Sequence, residues 1–140
     1  MQLPDKIIGD TIIQRGQILL SDIFESIDHE KIFLVIGVSE DEVTGFFYIN
    51  SNINPLVNRK PEQVAMQYKI LAKEYSFLSH DSYICATNVS RISKAELVES
   101  IQCGRTRIID TLKQAHLDEL LQRVRQSRLF SAFIKRTFFY

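Results

Sequence analysis

The stretch from Lys31 to Asn52, with the sequence KIFLVIGVSEDEVTGFFYINSN, most constrains how this chain can fold. Two runs within it, Ile32–Val38 and Gly45–Ile49, are apolar and rich in β-branched and aromatic residues, as is typical of short strands. The charged segment SEDEVT between them has a turn-forming composition, so we expect an antiparallel hairpin with a loop longer than a tight turn. Because neither run alternates with polar residues, both strands are expected to be buried on both faces or to belong to a small barrel.

Polar side chains flank the predicted hairpin where its first strand begins and its second strand ends. His29, Glu30 and Lys31 lead into the first run, and Asn50, Ser51 and Asn52 follow the second. Antiparallel pairing brings these two positions to the same end of the hairpin. We therefore expect a functional site, if the chain has one, at that end.

The composition is that of an ordinary globular protein. The chain has 140 residues, of which 45% are hydrophobic and 24% charged, which suits one domain over 1–140 and excludes a disordered chain. No run is long enough to span a membrane, and the N-terminal MQLPDKIIGD lacks the basic and apolar regions of a signal peptide. We expect a cytoplasmic protein that does not bind membranes.

Charge is unevenly distributed along the chain, although the formal net charge is zero. Residues 1–90 contain 7 Lys/Arg and 12 Asp/Glu, whereas residues 91–140 contain 10 and 5. The basic residues at 91–140 have two interpretations. They contact nucleic acid or an acidic partner, or they form the solvated face of a helix. The two cysteines, Cys85 and Cys103, lack a CxxC spacing and fit a reducing compartment, so we expect buried or idle thiols rather than a metal or redox site.

The remaining sequence predicts further short strands and two short helices. Strands are expected at Gln17–Ile23, Gln67–Ala72, Ser82–Thr87 and Thr106–Ile109, with an irregular segment at Asn88–Ser93. A helical turn is expected at Pro61–Met66, where proline starts the segment. A second helix is expected at Lys94–Ile101, because Ser93 and Glu96 form a capping-box pattern before it.

A longer helix is expected near the C-terminal end, after a second capping pattern formed by Thr111 and Gln114. Its apolar residues recur at helical spacing: Leu117, Leu120, Leu121 and Val124. Residues 1–15 form an N-terminal arm, either a short strand or a docked tail, and residues 129–140 form an aromatic tail that continues the helix or packs separately. This order predicts a strand-dominated α+β fold, either a small curled antiparallel sheet or an SH3-like barrel, with a short helix and a longer C-terminal helix.

The sequence lacks the common motifs of cofactor and metal chemistry. It contains no GxGxxG, no GxxxxGK[ST], no HExxH and no GxSxG, so we expect neither a bound cofactor nor a metal. The predicted hairpin end instead offers residue types that suit cleavage of a phosphodiester, which needs a cation and proton-transfer groups. The candidate catalytic residues are Lys31, His29 and Ser51, and the candidate substrate-binding residues are Asn50, Asn52, Arg59, Lys60 and His80.

Four segments resemble the MazF/PemK/Kid family of toxins in the same order. They are RGQILLSD at 15–22, HEKIFLVIG at 29–37, FFYINSN at 46–52 and DSYICATNVSRISKAEL at 81–97. The last is the best match, with a strand, a basic residue, an apolar pair and an S-K-x-x-L pattern that opens a short helix. The resemblance extends over roughly Arg15 to Leu129.

The resemblance implies a small barrel that forms a homodimer, binds an antitoxin protein and cleaves RNA without a metal, leaving a cyclic phosphate. Active family members carry Arg-Pro at the start of the second strand, where this chain has Glu30-Lys31-Ile32. The hydroxyl residue that ends the family's third strand corresponds to Ser51. The alternative is a non-catalytic barrel module that binds a protein partner or nucleic acid.

Overall fold

The computed structural model describes residues 13–24, 29–53 and 59–140. The described strands are β1 (Gln17–Ser21), β2 (Lys31–Val38), β3 (Val43–Asn50), β4 (Gln67–Ile70), β5 (Ser82–Cys85), β6 (Ser90–Ser93) and β7 (Thr106–Thr111). The described helices are α1 (Pro61–Ala65), α2 (Lys94–Gln102), α3 (Gln114–Gln126) and α4 (Ala132–Ile134), the last of which runs into a π-helical turn at Lys135–Phe139. Most of the predicted N-terminal arm lies outside the described residues.

The strands form one antiparallel sheet with the order β4-β5-β3-β2-β1-β7, and β6 also pairs with β3. The predicted hairpin is confirmed, since β2 and β3 pair antiparallel with Ile32 opposite Ile49. The other edge of β3 is shared, because β5 pairs near Ile49 and β6 pairs along Val43–Phe46. The strands β5 and β6 thus pair with different parts of the same edge of β3, and the sheet curls without closing. The fold is a strand-dominated α+β fold.

The hairpin strands are buried on both faces, as their unbroken apolar runs predicted. On one face Leu34 and Ile36 of β2 join a core completed by α3, which contributes the predicted Leu117, Leu120, Leu121 and Val124. On the other face Phe33 and Val35 pack with Leu97 and Val98 of α2. The hairpin therefore lies at the centre of the molecule, and its ends are the parts that reach solvent.

One of the two predicted helix caps is confirmed, and one segment that was predicted to be irregular is partly a strand. The Ser93 cap is confirmed, since the Glu96 amide donates to Ser93 Oγ at 3.1 Å. The Thr111 cap is wrong, because Thr111 pairs with Gln17 in β7 and the N-cap of α3 is Lys113. The prediction of an irregular segment up to Ser93 is also wrong for its second half, which forms β6 because the edge of β3 offers it backbone hydrogen bonds.

The aromatic tail packs separately from α3, which is one of the two predicted alternatives. The tail turns back onto the hairpin, and Phe138 and Phe139 are fully buried in the first core. Arg15 secures the tail by donating to the carbonyl oxygens of Ile36 at 2.7 Å and Phe138 at 3.0 Å. Arg125 of α3 donates to the Phe139 carbonyl at 2.7 Å. The tail is thus part of the core.

Among the described helices, none has the length and apolar character needed to cross a lipid bilayer.

A buried phenol joins β4 to α3. Tyr68 donates to Glu119 Oε2 at 2.9 Å, and the guanidinium of Arg123 lies 5.0 Å from the ring centroid. Burial raises the pKa of the Tyr68 phenol, and the hydrogen bond to Glu119 raises it further. Since the unfolded chain ionises at about pH 10, Tyr68 stabilises the fold fully below that pH and progressively less above it.

We therefore expect Tyr68→Phe to flatten the loss of stability at alkaline pH. The wild-type protein should lose stability steeply as the pH rises above about 10, and Tyr68→Phe less steeply, because it has no phenol to ionise on unfolding. Urea unfolding midpoints across this range measure the effect. Tyr83→Phe, at a partly exposed tyrosine of β5, is the control. Parallel pH curves for the wild type and Tyr68→Phe would contradict the assignment.

Candidate functional site

The polar residues at the end of the hairpin come together as the antiparallel pairing predicts. Lys31 begins β2 and Asn50 ends β3, and Lys31 Nζ donates to Asn50 Oδ1 at 3.0 Å. They open into a cavity of about 540 Å³, which we call the first cavity. Its lining residues are His29, Glu30, Lys31, Ile32, Tyr48, Ile49, Asn50, Ser51 and Asn52. Three predicted catalytic residues and two predicted substrate-binding residues therefore share one cavity.

The ammonium group of Lys31 is held in place but remains available to a ligand. Besides its bond to Asn50, Nζ lies 5.7 Å from the ring centroid of Tyr48, within cation–π range. No carboxylate in the described part of the chain forms an ion pair with it. Since an ammonium has three N–H donors and Asn50 takes one, Lys31 can donate to an anion without breaking that bond.

Tyr48 is a site residue that the sequence reasoning missed. Its ring packs against Phe24 and Phe46, with centroids 5.6 and 5.4 Å away, which fixes the orientation of the phenol. A tyrosine hydroxyl is neutral at physiological pH and can donate a hydrogen bond, and burial raises the pKa of Tyr48 further above its ordinary value. The sequence did contain a signal for this residue. Tyr48 and Asn50 are two positions apart in a predicted strand, so their side chains lie on the same face of β3.

His29, Ser51 and Glu30 complete the first cavity with groups that can transfer or hold protons. All three are exposed to solvent. Asn52 Nδ2 lies 3.5 Å from Ser51 Oγ, which keeps the amide beside the hydroxyl. The sequence reasoning gave Glu30 no role, yet its carboxylate lines the same cavity as His29. The cavity thus combines a cation with an imidazole, a carboxylate and a hydroxyl.

His80 lies outside the first cavity. It lines an adjoining cavity of about 180 Å³, which we call the second cavity, together with Ile32, Ile49, Ser51, Phe77, Leu78, Ser79 and Ser82. Ser51 and the cross-strand pair Ile32 and Ile49 line both cavities. The two cavities therefore meet at the end of the hairpin, and Ser51 is the polar residue among the three that line both.

Arg59 and Lys60 line neither cavity. Both are exposed at the start of α1, where their backbone amides each donate to Gln63 Oε1 at 3.2 Å. We predicted that these two cations contribute to the site at the end of the hairpin. In the described structure they line neither of the two cavities there. The segment 54–58 that precedes them lies outside the described residues.

The helix α3, which lies in the basic part of the chain, has its arginines engaged within the protein. Arg123 pairs with Glu119 at 2.8 Å and stacks on Tyr68, and Arg125 lies 4.7 Å from the ring centroid of Tyr140 while bound to the tail. The charge of Arg123 is therefore already paired with a carboxylate and Nε of Arg125 donates to a backbone carbonyl, whereas Lys31 pairs with no carboxylate of the described residues. The described geometry therefore favours the hairpin end over α3 as the anion site.

The described residues contain no cluster of three or more His, Cys, Asp or Glu side chains that could hold a metal ion. Both cysteines are free thiols. Cys85 lies 3.3 Å from Gln67 Nε2 on the β4–β5 pair, and Cys103 is exposed after α2. Neither lines the first or the second cavity.

Comparisons with known proteins do not assign the chain. No family model matches the sequence, and no curated protein matches it. The resemblance to MazF/PemK/Kid toxins therefore stays a prediction, and the function has to be inferred from the site itself.

Proposed function

We propose that the chain is a toxin-like, metal-independent endoribonuclease of a toxin–antitoxin pair, with its active site in the first cavity. One observation carries the proposal. Lys31, fixed by Asn50 and Tyr48, faces the same open cavity as His29 and Ser51. A positioned cation beside proton-transfer groups is the minimum that phosphodiester cleavage by an internal nucleophile requires.

The proposed reaction uses the 2′-hydroxyl of RNA as its nucleophile. A base removes the 2′-hydroxyl proton, the 2′-oxygen bonds to phosphorus, and the bond from phosphorus to the 5′-oxygen breaks. The leaving oxygen receives a proton, and the other product ends in a cyclic phosphate. His29 is one of the two proton-transfer groups, and the Glu30 carboxylate is the candidate for the other.

The remaining polar groups have binding roles in this reaction. Lys31 stabilises the charge that builds on the phosphate oxygens in the transition state. Asn50 and Ser51 position the phosphate, while Tyr48 offers a neutral hydroxyl and an aromatic edge. Lysine acts here as a point charge, without the planar fork of the arginine found in active members of the resembling family. RNA, an antitoxin protein and a second copy of the chain are the partners that belong to this proposal.

We expect the purified protein to cleave single-stranded RNA in EDTA. A matched substrate with one 2′-deoxy nucleotide at the cleavage site should resist cleavage there, because it lacks the nucleophile. His29→Ala should lower the rate by about 100-fold or more, which is the usual contribution of a general acid or base. Product ends identified by mass spectrometry and initial rates measure these effects.

Lys73→Ala, at an exposed lysine after β4 that lines neither cavity, controls for general effects of lost charge. Equal cleavage by the wild type and His29→Ala would remove the proposed chemistry, as would cleavage of the 2′-deoxy site. No cleavage by the wild type would remove the enzymatic function.

A protein-binding module is the second candidate, and the exposure of two aromatic residues of the tail favours it. Phe133 is 62% exposed and Tyr140 is 71% exposed, although the neighbouring Phe138 and Phe139 are buried. Exposed aromatic side chains are enriched where proteins bind one another. This candidate predicts that RNA stays intact in the EDTA assay whatever residue occupies position 31.

A further inference from the structure

The second cavity has a composition that differs from that of the first. Its walls are largely apolar, with Ile32 and Ile49 on the hairpin side and Phe77 and Leu78 on the loop after β4. Its volume of about 180 Å³ equals roughly six water molecules of liquid, which is the scale of one heterocyclic base. A largely apolar cavity of this size suits a base better than it suits a phosphate.

The polar residues that line the second cavity hydrogen-bond to one another. Ser79 Oγ lies 3.0 Å from His80 Nδ1, and Ser82 Oγ donates to the His80 carbonyl at 3.1 Å. These contacts fix both the backbone and the ring of His80. Since Ser79 occupies Nδ1, the other ring nitrogen of His80 is the one left to meet a ligand.

The position of Ser51 connects the two cavities chemically. It lines both of them, and in the proposed function it helps to hold the scissile phosphate in the first cavity. A nucleotide whose phosphate sits at Ser51 has its base within reach of the second cavity. Single-stranded RNA is commonly recognised through splayed bases that contact apolar or aromatic side chains and hydrogen-bond at their edges.

We propose that the second cavity binds the nucleobase next to the scissile phosphate, and that His80 and Ser79 determine which base is accepted. This inference rests on the proposed function of the first cavity. It makes His80 a specificity residue rather than a catalytic residue, because it lies outside the cavity of Lys31 and His29.

The test uses two sets of short RNA oligonucleotides, one varied over the four bases on the 5′ side of the cleavage site and one on the 3′ side. The wild-type protein should prefer one base at one of these positions. The preference is measured as the ratio of kcat/KM for the preferred base to kcat/KM for the other bases. His80→Ala should reduce this ratio at least about tenfold and still cleave the formerly disfavoured substrates, because a lost base contact removes discrimination. Ser79→Ala should reduce the ratio less, and Lys73→Ala should leave it unchanged.

The failures of the two proposals are distinguishable. If the wild type cleaves RNA but His80→Ala keeps the wild-type base preference, or the wild type has no preference, the second cavity is not a base subsite. If the wild type cleaves nothing, the proposed function fails. Fluorescence binding of the same oligonucleotides then decides the inference: base-dependent affinity lost in His80→Ala supports it, and equal affinities for all four bases overturn it.

Discussion

Lys31→Ala is expected to slow RNA cleavage by about 100- to 1,000-fold, which is the usual cost of removing one group that stabilises transition-state charge. The loss should fall mainly on kcat, because Lys31 acts on charge that develops during the reaction. Folding should be little affected, since Lys31 is only half-buried at the first position of β2, where it forms no ion pair with the described residues. Single-turnover rates and unfolding midpoints of the same preparation separate the two effects.

Two further variants make the test of Lys31 specific. Asn50→Ala removes the acceptor that holds Nζ at 3.0 Å, so it should lower the rate less than Lys31→Ala does. Lys31→Arg keeps the charge but changes its shape, and a partial recovery would show that charge matters more than the position of a single donor. Lys73→Ala should match the wild type. If Lys31→Ala cleaves RNA as fast as the wild type, Lys31 has no role in the chemistry.

The parts of the fold that the sequence could predict depend on local signals. The unbroken apolar runs of β2 and β3 indicated strands buried on both faces, and the turn composition between them indicated their pairing. Antiparallel pairing placed the clusters around Lys31 and Asn50 at the same end of the hairpin, but a bulge between Val35 and Gly37 shifts the register set at the turn. The Ser93 cap was also predictable, since its acceptor and donor are three residues apart.

The parts that the sequence could not predict depend on contacts between distant residues. β6 has a polar sequence and becomes a strand only because β3 has a free edge beside it. Thr111 matches a helix-cap pattern, but it pairs with β1 as the last residue of β7. The helix α3 therefore begins further along the chain. His80 carried no signal that it belonged to a separate cavity, because that cavity forms where the loop after β4 packs against Ile32 and Ile49.

The docking of the tail depends on two glycines and yields the second large prediction. Gly37 and Gly45 are opposite each other on β2 and β3. A Cβ atom on Gly45 would lie 2.5 Å from Cδ1 of the Phe138 ring, and a Cβ atom on Gly37 would lie 2.5 Å from the Phe138 carbonyl oxygen. Glycine within a strand often marks such a close approach, although the sequence does not reveal what approaches.

A double-mutant cycle tests this packing. Phe138→Ala should cost about 3–5 kcal/mol of unfolding free energy, as is usual for a buried phenylalanine. Gly45→Ala should cost about 1–3 kcal/mol through overpacking, and most of that cost should vanish in the Phe138→Ala background, where the ring is gone. Gly37→Ala should keep its cost in that background, since its obstacle is a backbone atom. Urea unfolding of the wild type, the three single variants and the two double variants, analysed with a shared m-value, measures these costs.

The location of these contacts also separates stability from function. Gly37 and Gly45 lie near the turn of the hairpin, whereas Lys31 and Asn50 lie at its other end. Phe138→Ala should therefore lower the unfolding midpoint but leave the cleavage rate per folded molecule unchanged at temperatures where the variant is folded. Additive costs of Gly45→Ala and Phe138→Ala would show that the ring does not press on the glycine. A lower cleavage rate in a fully folded Phe138→Ala protein would instead show that the tail positions the site.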